Sequence, residues 1–207
     1  MKSFSKIQYI SQGKTLEEQY KNIHMALDKG IRWIQLRWKD GNMKDIERLG
    51  WIVKDLCRKY HATLIINDHI HIADILNADG VHLGLQDDAI PHARMILGKN
   101  KIIGATANTY ENILHHMENG CDYIGLGPFR FTENKKKLSP LLGLEGYKNI
   151  LLELQQLENH PPIYAIGGIE ETDIEALLSI GLYGIAASNL IHQLRNNYLQ
   201  EFNVHYG

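Results

Sequence analysis

Residues 101–126 read KIIGATANTYENILHHMENGCDYIGL and hold one complete unit of a repeating pattern. Lys101–Ala105 and Asp122–Leu126 are short apolar runs. Runs such as IIGA and YIGLG lack polar alternation, which suits strands covered on both faces. Between them, Tyr110–Glu118 has helical spacing, and Gly120 falls just past its end, where left-handed backbone is wanted. Strand, helix, strand is the unit of a parallel sheet, because parallel neighbours need a crossover and a helix supplies it.

On either side the unit repeats. Strands are predicted at Ile7–Ile10, Ile31–Arg37, Ala62–Asn67, Gly80–Leu83, Lys101–Ala105, Asp122–Leu126, Pro162–Ile166 and Gly184–Ala187. Helices are predicted at Thr15–Lys29, Met43–Tyr60, Ile70–Asn77, Ala89–Leu97, Tyr110–Glu118, Gly146–Leu157, Glu171–Ile180 and Leu190–Phe202. Eight such repeats in 207 residues predict a (β/α)8 TIM barrel of the α/β class, a single domain spanning 1–207. The rival is an open doubly wound sheet, which usually opens on a glycine-rich fingerprint. Here the first strand runs into Ser11-Gln12-Gly13 instead. Thr15 with Glu18 forms a capping-box pattern, and Gly80, Gly120 and Gly181 each stand just past a predicted helix. One long connection, Gly127–Gly143, follows the sixth strand, and loops of that length in compact domains usually serve function.

Composition narrows the partners. The formal net charge is -2, so no global positive field recruits nucleic acid or an anionic membrane. Cys57 and Cys121 form no CxxC pair and no disulfide framework, which fits a reducing, cytoplasmic setting. The start, MKSFSKIQYI, lacks the apolar core of a signal peptide, and no apolar run approaches the roughly 18 residues of a spanning helix. Small molecules are the expected partners, and assembly into a homo-oligomer is left open.

Barrel enzymes place their chemistry at the C-terminal ends of the strands. The second strand ends Gln35-Leu36-Arg37-Trp38-Lys39, where alternation sends Gln35, Arg37 and Lys39 to one side. Arg grips phosphate bidentately and Lys adds a point charge. Asn67-Asp68 ends the third strand, and Asp87 and Asp88 follow the fourth. Two carboxylates on neighbouring strands repel unless a cation lies between them, and magnesium takes one or two carboxylates plus substrate phosphate. Asp87 or Asp88 can equally cap the fourth helix, and Asp88 is the nearer to that cap. Thr106 points a hydroxyl at the mouth, while Asn108 or Thr109 can cap the next helix. Gly167-Gly168 and Ser188 end the last two strands, the usual place for phosphate on bare backbone N–H groups, although Ser188 can also be a cap. His82 reads as a satisfied core or rim residue, and His115-His116 as lying away from the mouth. No Ser-His-Asp set and no histidine metal motif can be assembled.

Taken in order, Gln35-Leu36-Arg37-Trp38-Lys39, Ile66-Asn67-Asp68, Gly80-Val81-His82-Leu83-Gly84 with Asp87, Gly127-Pro128 with Thr132 and Lys135, Ala165-Ile166-Gly167-Gly168-Ile169, and Ser188 resemble the thiamine-phosphate synthase (thiamine-phosphate pyrophosphorylase) family along essentially the whole chain. The resemblance implies a transferase that joins a pyrimidine methyl diphosphate to a thiazole ethyl phosphate, carboxylated or not, with release of pyrophosphate. It implies a dissociative course through a pyrimidine carbocation, Mg2+ on Asp68 and Asp87, and Arg37, Lys39 and Lys135 as catalytic cations. Gln35, Leu36, Arg37, Trp38, Lys39, Asn67 and Thr106 then fall in the pyrimidine-diphosphate site. Thr132, Asn134, Gly167, Ala187 and Ser188 fall where the family binds thiazole phosphate.

Some positions depart from the family pattern. Thr106 stands for the usual serine, Asn134 for a threonine, Leu85 for a glutamine, and His69 and His71 for a frequent Arg and Asp. Asn108 replaces a histidine. That histidine serves proton transfer in the thiazole tautomerases of the same fold, the nearest alternative. A non-catalytic barrel that binds a phosphate ligand is the other; it needs no carboxylate pair.

Overall fold

The computed structural model describes residues 4–131, 140–195, 198, 199 and 202. In chain order the elements are β1 (Ile7–Ile10), α1 (Leu16–Asp28), β2 (Trp33–Leu36), α2 (Met43–Lys59), β3 (Thr63–Asn67), α3 (Ile70–Ile75), β4 (Gly80–Leu83) and α4 (Ile90–Leu97). They continue with β5 (Ile102–Ala107), α5 (Tyr110–Glu118), β6 (Tyr123–Leu126), α6 (Gly143–Leu154), β7 (Ile163–Ile166), a 3-10 turn (Glu171–Asp173), α7 (Ile174–Ser179), β8 (Gly184–Ala187) and α8 (Asn189–Gln193). Every neighbouring pair of strands is parallel, and β1 pairs with both β2 and β8, so the sheet closes. This is the predicted (β/α)8 barrel.

Where element ends differ from prediction, a competing hydrogen bond explains the change. β2 starts after Ile31 because the Ile31 N–H closes the end of α1 on the Ala26 carbonyl, at 3.0 Å. It stops at Leu36 because the Arg37 N–H turns to the Ser11 hydroxyl, at 2.9 Å. β5 runs on to Ala107, in register with Leu126. α8 ends at Gln193, where the Lys29 ammonium gathers the carbonyls of Ile191, His192 and Leu194, and the predicted span to Phe202 is interrupted there, with Tyr198, Leu199 and Phe202 again helical. Gly80 is no helix terminus. Asn77 takes the left-handed turn (φ 45°) after α3, and Gly80 lies inside β4, where a Cβ would stand 2.0 Å from the Ile102 carbonyl oxygen. The capping box at Thr15 and Glu18 is present.

Alternation along each strand divides the side chains into two apolar layers. Ile34, Leu36, Leu64, Ile66, Ile124, Leu126, Ile163, Ala165, Ile185 and Ala187 face out and join the core beneath the helices. Trp33, Ile65, Tyr123, Tyr164 and Ala186 face in, with Phe4 and Ile102 packed on them. These inner groups sit toward the N-terminal ends of the strands. Their rings meet edge-on, Trp33 against Tyr164 at 5.0 Å and Trp33 against Tyr123 at 4.8 Å, a favourable aromatic geometry. The Tyr164 and Tyr183 hydroxyls bond the carbonyls of Ser5 and Phe4, which draws the N-terminal segment across that end. Among the described residues no helix is long and apolar enough to cross a membrane.

Candidate active site at the barrel mouth

With the N-terminal end filled, the open end is the rim formed by the C-terminal strand ends. Gln35 and Arg37 turn inward as alternation requires. Gln35 is buried, while Lys39 is exposed on the connection beyond β2. The Arg37 backbone is fixed twice. Its N–H donates to the Ser11 hydroxyl, and its carbonyl accepts from Gln19 Nε2 at 3.1 Å, while Ser11 donates to Gln19 Oε1 at 2.7 Å. Gln19 is fully buried on the apolar face of α1, and that misplaced amide was the available signal for a residue the motif reading missed. Burial pushes the Arg37 guanidinium below its ordinary value, against the pull of Asp68 and Asp40. A cation so placed gains from an anion in the mouth.

Leu36 and Trp38 are different. Both side chains pack against the apolar layer under the helices, so their part in a binding site is limited to backbone groups. That layer is where alternation sends Leu36.

Asp68 follows β3 in a left-handed conformation (φ 64°), and the His69 N–H bonds back to the Asn67 carbonyl at 2.8 Å. A positive φ closed by a bond across two residues is the strained form of γ-turn. Strain of this kind gathers at functional sites. The Asp68 N–H bonds to the His82 carbonyl, which locks the turn to β4. From the next connection, Asp87 Oδ2 accepts from the Gly84 N–H at 2.6 Å. Asp68 and Asp87 come within hydrogen-bonding reach. Burial, then the bond to and repulsion from Asp87, push the Asp68 carboxyl up to about 7, although Lys39 and Arg37 act against them. Two crowded carboxyl groups of this kind need a shared proton or a cation. Asp88 caps nothing, since Ala89 is the N-cap of α4 and Asp88 meets His92 at 3.3 Å. Among the described residues no group of three or more His, Cys, Asp and Glu is arranged around a metal position, so a cation here rests on the pair alone.

Around the rim, Asn67 is buried facing in, and Thr106 is half-buried on β5 with its hydroxyl 3.0 Å from His82 Nε2. Thr109 is the cap of α5, accepting from the Asn112 N–H, and buried Asn108 donates its amide to the Gly127 carbonyl. His116 reaches Thr106 from α5, with Nε2 2.9 Å from its carbonyl, so this histidine is nearer the site than its helix position suggests.

The far side of the mouth is built from backbone. Gly167 (φ 86°) and Gly168 (φ 71°) are left-handed, and a Cβ on either would lie 2.8 Å from Pro128 or Arg130. Their carbonyls are occupied by the Arg130 N–H and guanidinium, at 3.0 Å each. Their N–H groups donate to nothing among the described residues. Arg130 in turn holds both oxygens of Asp173, a fork-to-fork pair that ties the β6 connection to the turn after β7. Neither residue was visible as a site element in the sequence. Ala187 is buried with its side chain facing outward. Ser188 makes no side-chain cap; its hydroxyl donates to the Ile10 carbonyl at 2.6 Å, across the seam where the barrel closes. Thr132, Asn134 and Lys135 lie outside the described residues.

Among the described residues nothing at the rim is an activated nucleophile. Burial pushes the Cys57 and Cys121 thiols up to about 12, so both stay protonated at neutral pH. The arrangement instead offers cations and a carboxylate pair on one side and bare N–H groups on the other, as phosphate-bearing substrates require.

Comparison with known proteins agrees with that chemistry. The family model described as thiamine monophosphate synthase matches residues 8–191. The thiamine-phosphate synthase of Flavobacterium johnsoniae is 55% identical over 188 residues, 91% of this chain and 89% of the relative. That of Flavobacterium psychrophilum is 53% identical over 193 residues, 93% of this chain and 94% of the relative. Among solved structures, a thiamine phosphate pyrophosphorylase from Pyrococcus furiosus superposes with a TM-score of 0.77 at 30% identity, covering 89% of this chain and 85% of that one. A match that runs from β1 into α8, with relatives alike at more than half of the aligned positions, places this chain in the thiamine monophosphate synthase family.

Proposed function

We propose that the chain is a thiamine-phosphate synthase, a transferase that joins a pyrimidine methyl diphosphate to a thiazole ethyl phosphate and releases pyrophosphate. The observation that carries the reading is the Asp68–Asp87 pair beside Arg37 and Lys39, facing the bare N–H groups of Gly167 and Gly168. One side suits a diphosphate with its cation, the other a monophosphate.

The carboxylate pair fits Mg2+, because burial and then the neighbouring Asp87 push the Asp68 carboxyl up, and a cation there would offset both. When bound, magnesium would supply positive charge to the oxygens of the leaving diphosphate. Arg37 and Lys39 add charge to the same group, and the family resemblance adds Lys135, which lies outside the described residues. Gln35, Asn67 and Thr106 orient the pyrimidine end. Gly167, Ala187 and Ser188, with Thr132 and Asn134, make the thiazole-phosphate end. The two substrates are thereby held in line, and no side chain need attack or abstract a proton. Asn108 argues against the tautomerase alternative, since an amide bonded to the Gly127 carbonyl transfers no proton at neutral pH.

The test is direct. Mixed with both substrates, the purified chain should release pyrophosphate and form thiamine phosphate in the presence of magnesium, and stop with EDTA. Binding of one substrate with no pyrophosphate in any metal would refute the synthase reading in favour of a non-catalytic binder.

A further inference from the structure

A polar chain crosses the barrel lumen just above the aromatic plug. Gln8, Gln35 and His82 are buried, and Tyr123 is wholly so. Gln8 Nε2 donates to the Tyr123 hydroxyl oxygen at 3.1 Å, and Gln8 Oε1 accepts from Gln35 Nε2 at 3.4 Å. His82 meets Tyr123 through Nδ1 at 2.9 Å and Thr106 through Nε2 at 3.0 Å. Space for the two rings is provided by glycine. A Cβ on Gly104 would lie 2.1 Å from the Tyr123 ring, and one on Gly125 would lie 3.4 Å from the His82 ring.

The directions of these bonds follow from counting protons. The Gln8 amide oxygen is taken by Gln35, so its nitrogen faces Tyr123, and the tyrosine oxygen is an acceptor there. Gln35 bonds the same oxygen, and burial keeps the phenol protonated. Its single proton therefore goes to the remaining neighbour, His82 Nδ1. The imidazole carries its own proton on Nε2 and gives that bond to Thr106 Oγ. Thr106 Oγ accepts that bond, so its own hydroxyl proton is left for the mouth.

We infer that His82 is a positioning residue: through the line Gln8–Tyr123–His82 it leaves the Thr106 hydroxyl proton free to be donated to the substrate in the mouth. The inference rests on the synthase reading for what occupies the mouth, a pyrimidine carrying a diphosphate. It selects ligand groups with a lone pair at that point, a ring nitrogen or a phosphate oxygen. Threonine suits the task because its branched Cβ restricts the rotation that would let the hydroxyl turn away.

Two measurements decide it. In the ligand-free chain with isotope-labelled histidine ring nitrogens, long-range proton–nitrogen spectra identify the protonated nitrogen of His82, with His82→Gln assigning the signal. A proton on Nε2 and a bare Nδ1 is the expected result. A proton on Nδ1, or on both, overturns the inference. The second measurement couples Tyr123→Phe with Thr106→Val. Tyr123→Phe should lower kcat roughly tenfold, the size of one lost hydrogen bond to a charged group, and leave KM for the thiazole phosphate unchanged. In the Thr106→Val background it should do nothing more; additive losses would mean that the line acts elsewhere. If Tyr123→Phe does not fold, as judged by circular dichroism, the wild-type spectra decide alone. They also separate the two readings, since absence of pyrophosphate release in wild type sinks the synthase proposal while the His82 proton is still read.

Discussion

The two sides of the barrel mouth offer an anion different groups. The β2–β4 side uses ionisable side chains. Arg37 is half-buried and pinned at its backbone, and Asp68 is pushed up by burial and by Asp87. The β7 side uses peptide groups, with two left-handed glycines whose carbonyls are tied down by Arg130 while their N–H groups donate to nothing among the described residues. A side-chain site can change its charge with pH or a metal. A backbone site has fixed partial charges and nothing to titrate. The first therefore suits a group whose charge grows during a reaction, and the second a group that is only held.

The largest test of that contrast is Asp87→Ala. On the proposed reading this removes half the protein ligands of the cation on the leaving diphosphate, and turnover should fall about 10²–10³-fold. Pyrophosphate release against magnesium concentration measures it. Near-normal turnover with unchanged magnesium dependence would break the division of labour.

On the opposite side, Gly167→Ala forces a Cβ to 2.8 Å from Pro128 at a positive φ. Strain of about 1–3 kcal/mol is expected, with KM for the thiazole phosphate raised about tenfold and KM for the pyrimidine diphosphate little changed. Steady-state kinetics with each substrate varied in turn would show it. An equal rise in both would mean that the glycines merely shape the loop.

A smaller effect sharpens the side-chain half. Burial, then the neighbouring Asp87, pushes the Asp68 carboxyl up to about 7 in the folded chain, from an ordinary value of 3.8. Between those values the folded state holds a proton that the unfolded state has released. The stability this proton contributes is full below the unfolded value and is lost as pH rises through the folded one. In EDTA the melting temperature should therefore drift down from acid toward neutral pH, and Asp68→Asn should flatten that drift. Identical profiles for both proteins would show that the carboxyl pair is less crowded than its geometry implies.

The same contrast explains what could be read in advance. The barrel was legible because eight apolar runs and eight amphipathic segments alternate without interruption. The charged half of the site was legible because ionisable residues at strand ends, such as Arg37 and Asp68, have no other reason to sit there. Gly167-Gly168 was readable only as a pair of small residues. Its partners were not readable, since Arg130 and Asp173 lie 43 residues apart and meet only through the fold. The line from Gln8 to Tyr123 spans 115 residues and follows no local pattern. Trp38 stands beside Arg37 and Lys39 in sequence, and its half-buried ring packs against the outer core.

The aromatic plug of Trp33, Tyr123 and Tyr164, roofed by the segment that carries Phe4 and Ser5, has a consequence for traffic. A tube stopped at one end has a single doorway. Both reactants must enter past the rim, and both products must leave by the same path, crossing the residues that bound them on the way in. Departure of the first product then clears the way for the second, and turnover becomes a matter of queueing as well as of bond making.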